Sequence, residues 1–231
     1  MSAGFEVIND SQSILIDQNF QNLALVSRGT ISVASNTSPG GQYGFTNIPA
    51  TGIPLIFVRS TGLVSIISTA SGRFDWQMAK GVTSFDYYAF APPQIISGNF
   101  GLQVYGSDGT LCFDAQQKYL RVLGTTATKS SMYFPDSGGV GSVLSFPLQG
   151  TQPAVCFSDP GGQFQVITGT IVSGGTSYRT IARCGMRING SSLELAQFQS
   201  LDNISLPSGA NVNTRVASSP SMVIVADVSN M

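Results

Sequence analysis

Short apolar runs, each closed by Gly, Pro, Ser, Thr or Asn, recur along the whole chain, and this punctuation predicts strands. The opening stretch Gly4 to Asp17 holds two such runs, Phe5 to Ile8 and Ile14 to Ile16, around a polar turn, which is the pattern of a β-hairpin. A strand over Leu23 to Val26 follows. The same design returns as Gly101 to Asp114, with Asp108-Gly109 in its turn, and then Tyr119 to Leu123. Between these hairpins, strands are predicted over Pro54 to Val58, Leu63 to Ile67, Arg73 to Met78 and Ser84 to Ala91. Beyond them come Ala154 to Ser158, Gln163 to Val172, Tyr178 to Ile188 and Met222 to Val228. Asn189-Gly190, set between Arg183 to Ile188 and Ser192 to Phe198, is the best local hairpin signal. Thr125 to Gly141, rich in Thr, Ser and Gly, reads as a long loop.

Aligned without gaps, the two hairpin segments match Gly4 with Gly101, Val7 with Val104, Asp17 with Asp114 and Leu23 with Leu120, and their apolar positions coincide. An internal duplication of this kind predicts two units of similar size. Pro92-Pro93 to Gly98 supplies the boundary. The expectation is therefore an all-β protein of two antiparallel β-sandwich-like units, residues 1–97 and 98–231, each opened by a similar hairpin.

Composition strengthens the β reading. Only two Glu (Glu6, Glu194) and three Lys (Lys80, Lys118, Lys129) occur, so the residues that clothe an exposed helix are nearly absent. Charged residues make up 10% of the chain, against roughly 25% in ordinary soluble domains. A monomer of this mass exposes about 10,000 Å², over which 11 basic and 12 acidic residues are spread. So thin a charge cover suits a surface that partner subunits bury.

The net charge of −1, with no basic cluster, lacks the electrostatic footprint of a nucleic-acid binder. Ile53 to Val58 and Met222 to Ala226 fall far short of a membrane span, and Met1 to Glu6 lacks the layout of a signal peptide. Neither nucleic acid nor membrane insertion is expected. Cys112, Cys156 and Cys184 have no C-x-x-C spacing and read as buried thiols.

The second hairpin carries Gly101, Val104, Tyr105, Gly109, Leu111, Phe113 and Asp114, followed by Lys118, Leu120, Arg121 and Val122. This pattern resembles a group of bacteriophage tail-region structural proteins of the tail tip, baseplate or fibre, in which a G-[LF]-x-V-[YF]-x-x-x-G-x-[LI]-x-F-[DS] hairpin leads into a [KR]-x-[LY]-R-[VI] strand. The first copy departs from it at Gln12 and Ala24. The resemblance covers about a fifth of the chain. It implies a β-rich protein located in the virion tail and assembled in the bacterial host cytoplasm, with other tail proteins and further copies of itself as partners. It carries over no catalytic residue.

With no histidine, Ser-His-Asp and Cys-His catalysis and histidine metal sites are excluded. No nucleotide-binding glycine motif occurs. No cofactor, metal or catalytic residue is expected. Two acids remain of interest. Asp75 beside Trp76, and Asp86 beside Tyr87 and Tyr88, sit among aromatics, and two such carboxylates can cut a polysaccharide. Alternatively Trp76 and Tyr88 stack on a sugar while Asp75 or Asp86 accepts from its hydroxyls. The plainer reading is that Phe74, Trp76, Phe85, Tyr87 and Phe90 fill a core or an interface while the acids serve turns. The function expected is structural and non-enzymatic, with a receptor- or glycan-binding adhesin second and a polysaccharide hydrolase third.

Overall fold

The computed structural model describes residues 6–8, 14–17, 21–38, 41–50, 52–95, 101–127, 144–148, 151–157, 165–172, 176–202, 213–216 and 222–231. The protein is all-β, with no helix among the described residues. In chain order the strands are β1 (Glu6–Ile8), β2 (Ile14–Asp17), β3 (Ala24–Ser32), β4 (Gln42–Asn47), β5 (Leu55–Arg59), β6 (Val64–Ala70), β7 (Arg73–Met78) and β8 (Ser84–Ala91). They continue with β9 (Gln103–Tyr105), β10 (Leu111–Asp114), β11 (Val122–Ala127), β12 (Leu144–Pro147), β13 (Pro153–Phe157), β14 (Gln165–Val172), β15 (Thr176–Asn189), β16 (Ser192–Asp202), β17 (Asn213–Val216) and β18 (Met222–Asp227).

Two large antiparallel sheets face each other. One runs β11-β18-β13-β5-β8-β3; the other runs β12-β16-β15-β6-β7-β4, with β14 and β17 added beside β15. Alternation along the strands builds the layer between them. Phe85, Tyr87 and Ala89 of β8 point inward and meet Phe74, Trp76 and Met78 of β7, together with Val58, Val64, Val155, Met186, Leu193, Leu195 and Val223. A second cluster covers the other face of the six-stranded sheet. There Phe57 and Phe90 meet edge to face at 5.4 Å, among Ala154, Cys156, Ala226 and Val228, under Leu23, Leu120 and Met231. Each large side chain fully buried in these layers contributes roughly 1.5–3 kcal/mol.

The pairing registers of the hairpins and edge strands repeat between the two halves. In the first hairpin Glu6 faces Asp17, Val7 faces Ile16 and Ile8 faces Ile14, with a bulge after Val7. In the second, Gln103 faces Asp114, Val104 faces Phe113 and Tyr105 faces Leu111, with the irregularity at the equivalent place. The strands that follow repeat the correspondence: β3 bulges against β8 between Leu25 and Ser27, and β11 bulges against β18 between Val122 and Gly124, the same positions of the two copies. Further on, Ile48 N–H donates to Gly72 O at the β6–β7 turn, and Leu148 N–H donates to Ser191 O at the β15–β16 turn. Bulges at matching positions bend each edge strand alike.

Equivalent strands meet antiparallel at the middle of both sheets, β5 with β13 (Val58 opposite Val155) and β6 with β15 (Val64 opposite Met186). Leu23 and Leu120, matched in the sequence alignment, also meet, with Leu120 N–H donating to Leu23 O at 2.9 Å. Antiparallel pairing of equivalent segments places a local twofold axis between the repeats. The chain thus divides into two repeats whose sheets are continuous and whose core is shared: Val58 and Trp76 from the first lie in one cluster with Val155 and Leu195 from the second.

Several details differ from the sequence expectation. Thr125 to Ala127, expected in a loop, belong to β11, because they ladder onto Met222 to Ile224. In the Asn189-Gly190 hairpin Asn189 stays in the ladder opposite Ser192, so Gly190 and Ser191 are the turn residues and Gly190 supplies the positive φ of 59°. The strands β4, β12 and β17 were not expected. Cys112 and Cys156 are buried as expected, burial pushing the Cys156 thiol up to about 12. The Cys184 side chain and the turn at residues 9–13 lie outside the described residues.

Candidate functional site

The expected site residues part company across the sandwich. Trp76 and Tyr87 lie on the inward faces of β7 and β8 and are buried. Trp76 meets Phe85 edge to face at 5.6 Å and its Nε1–H donates to Thr46 Oγ1 at 3.0 Å. Tyr87 packs on Phe74 with ring centres 5.2 Å apart, its hydroxyl bonded to Ser27 Oγ. Neither ring is offered to a ligand. Asp75 and Asp86 alternate with these core residues, so each points outward, but β7 and β8 belong to opposite sheets. The full thickness of the sandwich separates the two carboxylates, and they form no catalytic pair.

Asp86 accepts from Thr30 Oγ1 at 2.7 Å and lies 3.9 Å from Arg59. With Arg59, Ser60, Thr61, Ser84, Phe85 and Ile188 it lines a cleft of about 200 Å³. Tyr88 lies on the same outer face and packs against the second hydrophobic cluster. Its burial, and then the neighbouring Asp86, raise the phenol above its ordinary range. Of the expected residues, Asp86 and Tyr88 therefore share a face, while Asp75 stands alone on the other.

Asp75 stands among residues that the local sequence pattern does not single out. β4 is the last described strand of its sheet and pairs residue for residue with β7, Gly44 opposite Trp76 and Phe45 opposite Asp75. Gly44 has no room for a side chain, since a Cβ there would sit 2.4 Å from the Trp76 ring. Its neighbours Tyr43 and Phe45 point the other way, each 55% exposed. The Arg73 guanidinium lies 4.2 Å over the centre of the Phe45 ring, a cation–π contact. Arg73 also holds Asp75 through Nη2 at 2.7 Å and Nε at 2.8 Å, while Ser68 Oγ donates to the other carboxylate oxygen at 2.8 Å. The result is a flat outer face at a sheet edge: two aromatic rings beside an ordered Arg–Asp pair. A signal was present in the sequence, two aromatics alternating with small polar residues in Gln42-Tyr43-Gly44-Phe45-Thr46, but Gly41 and Gly44 masked the strand.

The motif hairpin is explained by folding. Val104, Leu111 and Asp114 are buried, and the Asp114 carboxylate accepts from Gln116 N–H at 2.8 Å and Gln103 Nε2 at 3.0 Å, which hold it below the usual range. Phe113 stacks on Tyr119 with centroids 4.9 Å apart, and the Tyr119 hydroxyl donates to Asp114 O. These contacts tie the hairpin to the crossing that carries Leu120 under Leu23. Among the described residues no group of three or more Cys, Asp or Glu side chains converges as a metal ion would need. No family model, curated protein or solved structure matches the chain.

Proposed function

We propose that this chain is a non-enzymatic structural component of the tail end of a bacteriophage virion, which works by assembling with itself and with other virion proteins. The observation that carries the assembly reading is the β4 edge: Gln42-Tyr43-Gly44-Phe45-Thr46-Asn47 holds no Lys, Pro or other charge, and two half-exposed aromatics stand on it. Natural monomers guard such edges with charge or proline. With 10% charged residues over the whole chain, little else keeps that edge apart from other chains. The likeness of Gly101 to Val122 to the tail-protein hairpin supports the virion setting. Immunogold labelling of purified particles tests it. Label at the tail end is expected, and particles that carry none of the protein would remove the reading.

One observation favours a second reading, a glycan-binding adhesin. Exposed Tyr43 and Phe45 beside Asp75 and Arg73 combine stacking surfaces with hydroxyl-binding groups. Glycan-array binding lost on replacing Tyr43 and Phe45 would support it.

A further inference from the structure

We infer that β4 is a homotypic docking edge, pairing antiparallel with β4 of a second copy about a twofold axis at Gly44. The inference rests on the assembly reading and names its partner.

Tyr43-Gly44-Phe45 is self-complementary in this register. Antiparallel pairing centred on Gly44 sets Tyr43 opposite Phe45 of the second copy, and Phe45 opposite its Tyr43. All four rings then share the outer face, because residues two apart on a strand point the same way. Facing rings in such pairs stand close enough to pack. Gly44 lies opposite Gly44, leaving the backbones unobstructed, and Trp76 fills the space beneath each glycine on the core side. Arg73 backs the Phe45 ring and is itself held by Asp75, so the aromatic pair is braced before the partner arrives.

The molecule already associates in this manner within itself. Its repeats join by antiparallel pairing of equivalent strands, β5 with β13 and β6 with β15, so that each sheet continues across a local twofold. The β4 edge would continue the same eight-stranded sheet by the same operation. The strand equivalent to β4 at the far end is β12, and it ends in Pro147, which has no N–H to offer. Among the described residues nothing pairs with the outer side of β4, and Pro147 blunts β12, so the proposed assembly is a closed pair of chains rather than a growing filament.

Sedimentation velocity and oxidative cross-linking test the register. The wild-type chain is expected to sediment as a dimer. Tyr43→Lys with Phe45→Lys, both at exposed positions, is expected to weaken dimerisation about tenfold or more, an aromatic hot spot replaced by like charges, with the far-UV circular dichroism of the β fold retained. A mixture of Tyr43→Cys chains with Phe45→Cys chains, which keeps one Tyr–Phe pair at the seam, is expected to give a disulfide-linked heterodimer, whereas Asn47→Cys alone, which would lie opposite Gly41, is not. An oligomer that survives the double lysine change, or cross-links equally through Asn47→Cys, overturns the β4 pairing and leaves assembly through another surface standing. A wild-type monomer overturns the pairing as well, and one that binds glycans through Tyr43 and Phe45 assigns the face to sugar instead.

Discussion

The two repeats carry the same hairpin and edge-strand registers and bulges on different side chains, though β6 bulges against β7 between Ile66 and Ser68 where β15 pairs with β16 without a break. In the first, the inner layer is aromatic, with Phe74, Trp76, Phe85 and Tyr87; in the second, the positions equivalent to Phe74, Trp76 and Tyr87 are Leu193, Leu195 and Val223. The residue types differ across the ladder as well. Trp76 is paired with Gly44, whereas Leu195 is paired in register with Leu144. In the outer cluster Phe57 and Phe90 lie where the second repeat has the smaller Cys156 and Ala226. Backbone pairing is thus kept on side chains of different size. The repeats differ outside the core too. Only the second adds β14 and β17 beside a β15 of 14 residues, and the first ends in an edge strand bearing the exposed aromatics Tyr43 and Phe45.

If the two repeats are alternative solutions to one packing problem, the aromatic one should fail when it is truncated. Phe57→Ala, which removes a fully buried ring and its contact with Phe90, is expected to destabilise by about 3–5 kcal/mol in urea denaturation, more than Cys156→Ala at the equivalent position. Equal losses would break the comparison.

The Trp–Gly exchange sharpens it. Gly44→Leu alone forces a Cβ into the Trp76 ring, and Trp76→Leu alone leaves a void, so each is expected to cost about 2–4 kcal/mol. Together they rebuild the Leu–Leu pair of the second repeat. The double variant is therefore expected to lie at least about 1 kcal/mol above the sum of the single losses in a double-mutant cycle. Strict additivity would show that the two sites do not trade volume.

The motif hairpin gives a smaller effect. Asp114→Ala removes the acceptor for Gln116 N–H and Gln103 in a buried site and is expected to cost about 1–3 kcal/mol, with amide exchange rising first over 101–120. An unaltered exchange pattern would detach the hairpin from the core beneath it.

Smallest is the effect of pH near neutrality. Hydrogen bonds from Thr110, Gln116, Asn189 and Ser229 lower the folded-state pKa values of Asp108, Asp114, Glu194 and Asp227 respectively. Carboxylates depressed on folding contribute stability that is present above their unfolded values of about 4 and is lost as pH falls through the folded ones. With no histidine in the chain, stability is expected to be flat between about pH 5 and 8 and to fall below about pH 4. A transition near pH 6.5 in thermal unfolding would contradict this.

Much of the fold was legible because alternation and turn chemistry are local. Arg73–Met78 and Ser84–Ala91 were read to the residue, and the match of Val7 with Val104 foretold a shared hairpin register. β4 escaped notice because Gly44 answers to Trp76 on another strand, a packing need that local pattern does not record. Trp76 and Tyr87 are core residues, as the plainer reading has them, for a related reason. Trp76 and Tyr87 looked available beside Asp75 and Asp86, but period-two alternation sends an aromatic inward wherever its neighbouring acid points out. Nor does local pattern say that β7 and β8 enter different sheets, which is what separates the acids.

Cryo-electron microscopy of particles of the phage proposed to encode this chain tests its assignment to the tail end most directly. The proposed role requires tail-end density for a double sandwich with two continuous sheets, a local twofold between β5 and β13, and the β4 edge covered by another chain. A tail end resolved at side-chain detail and fully built from other proteins, with no place for this fold, would contradict it.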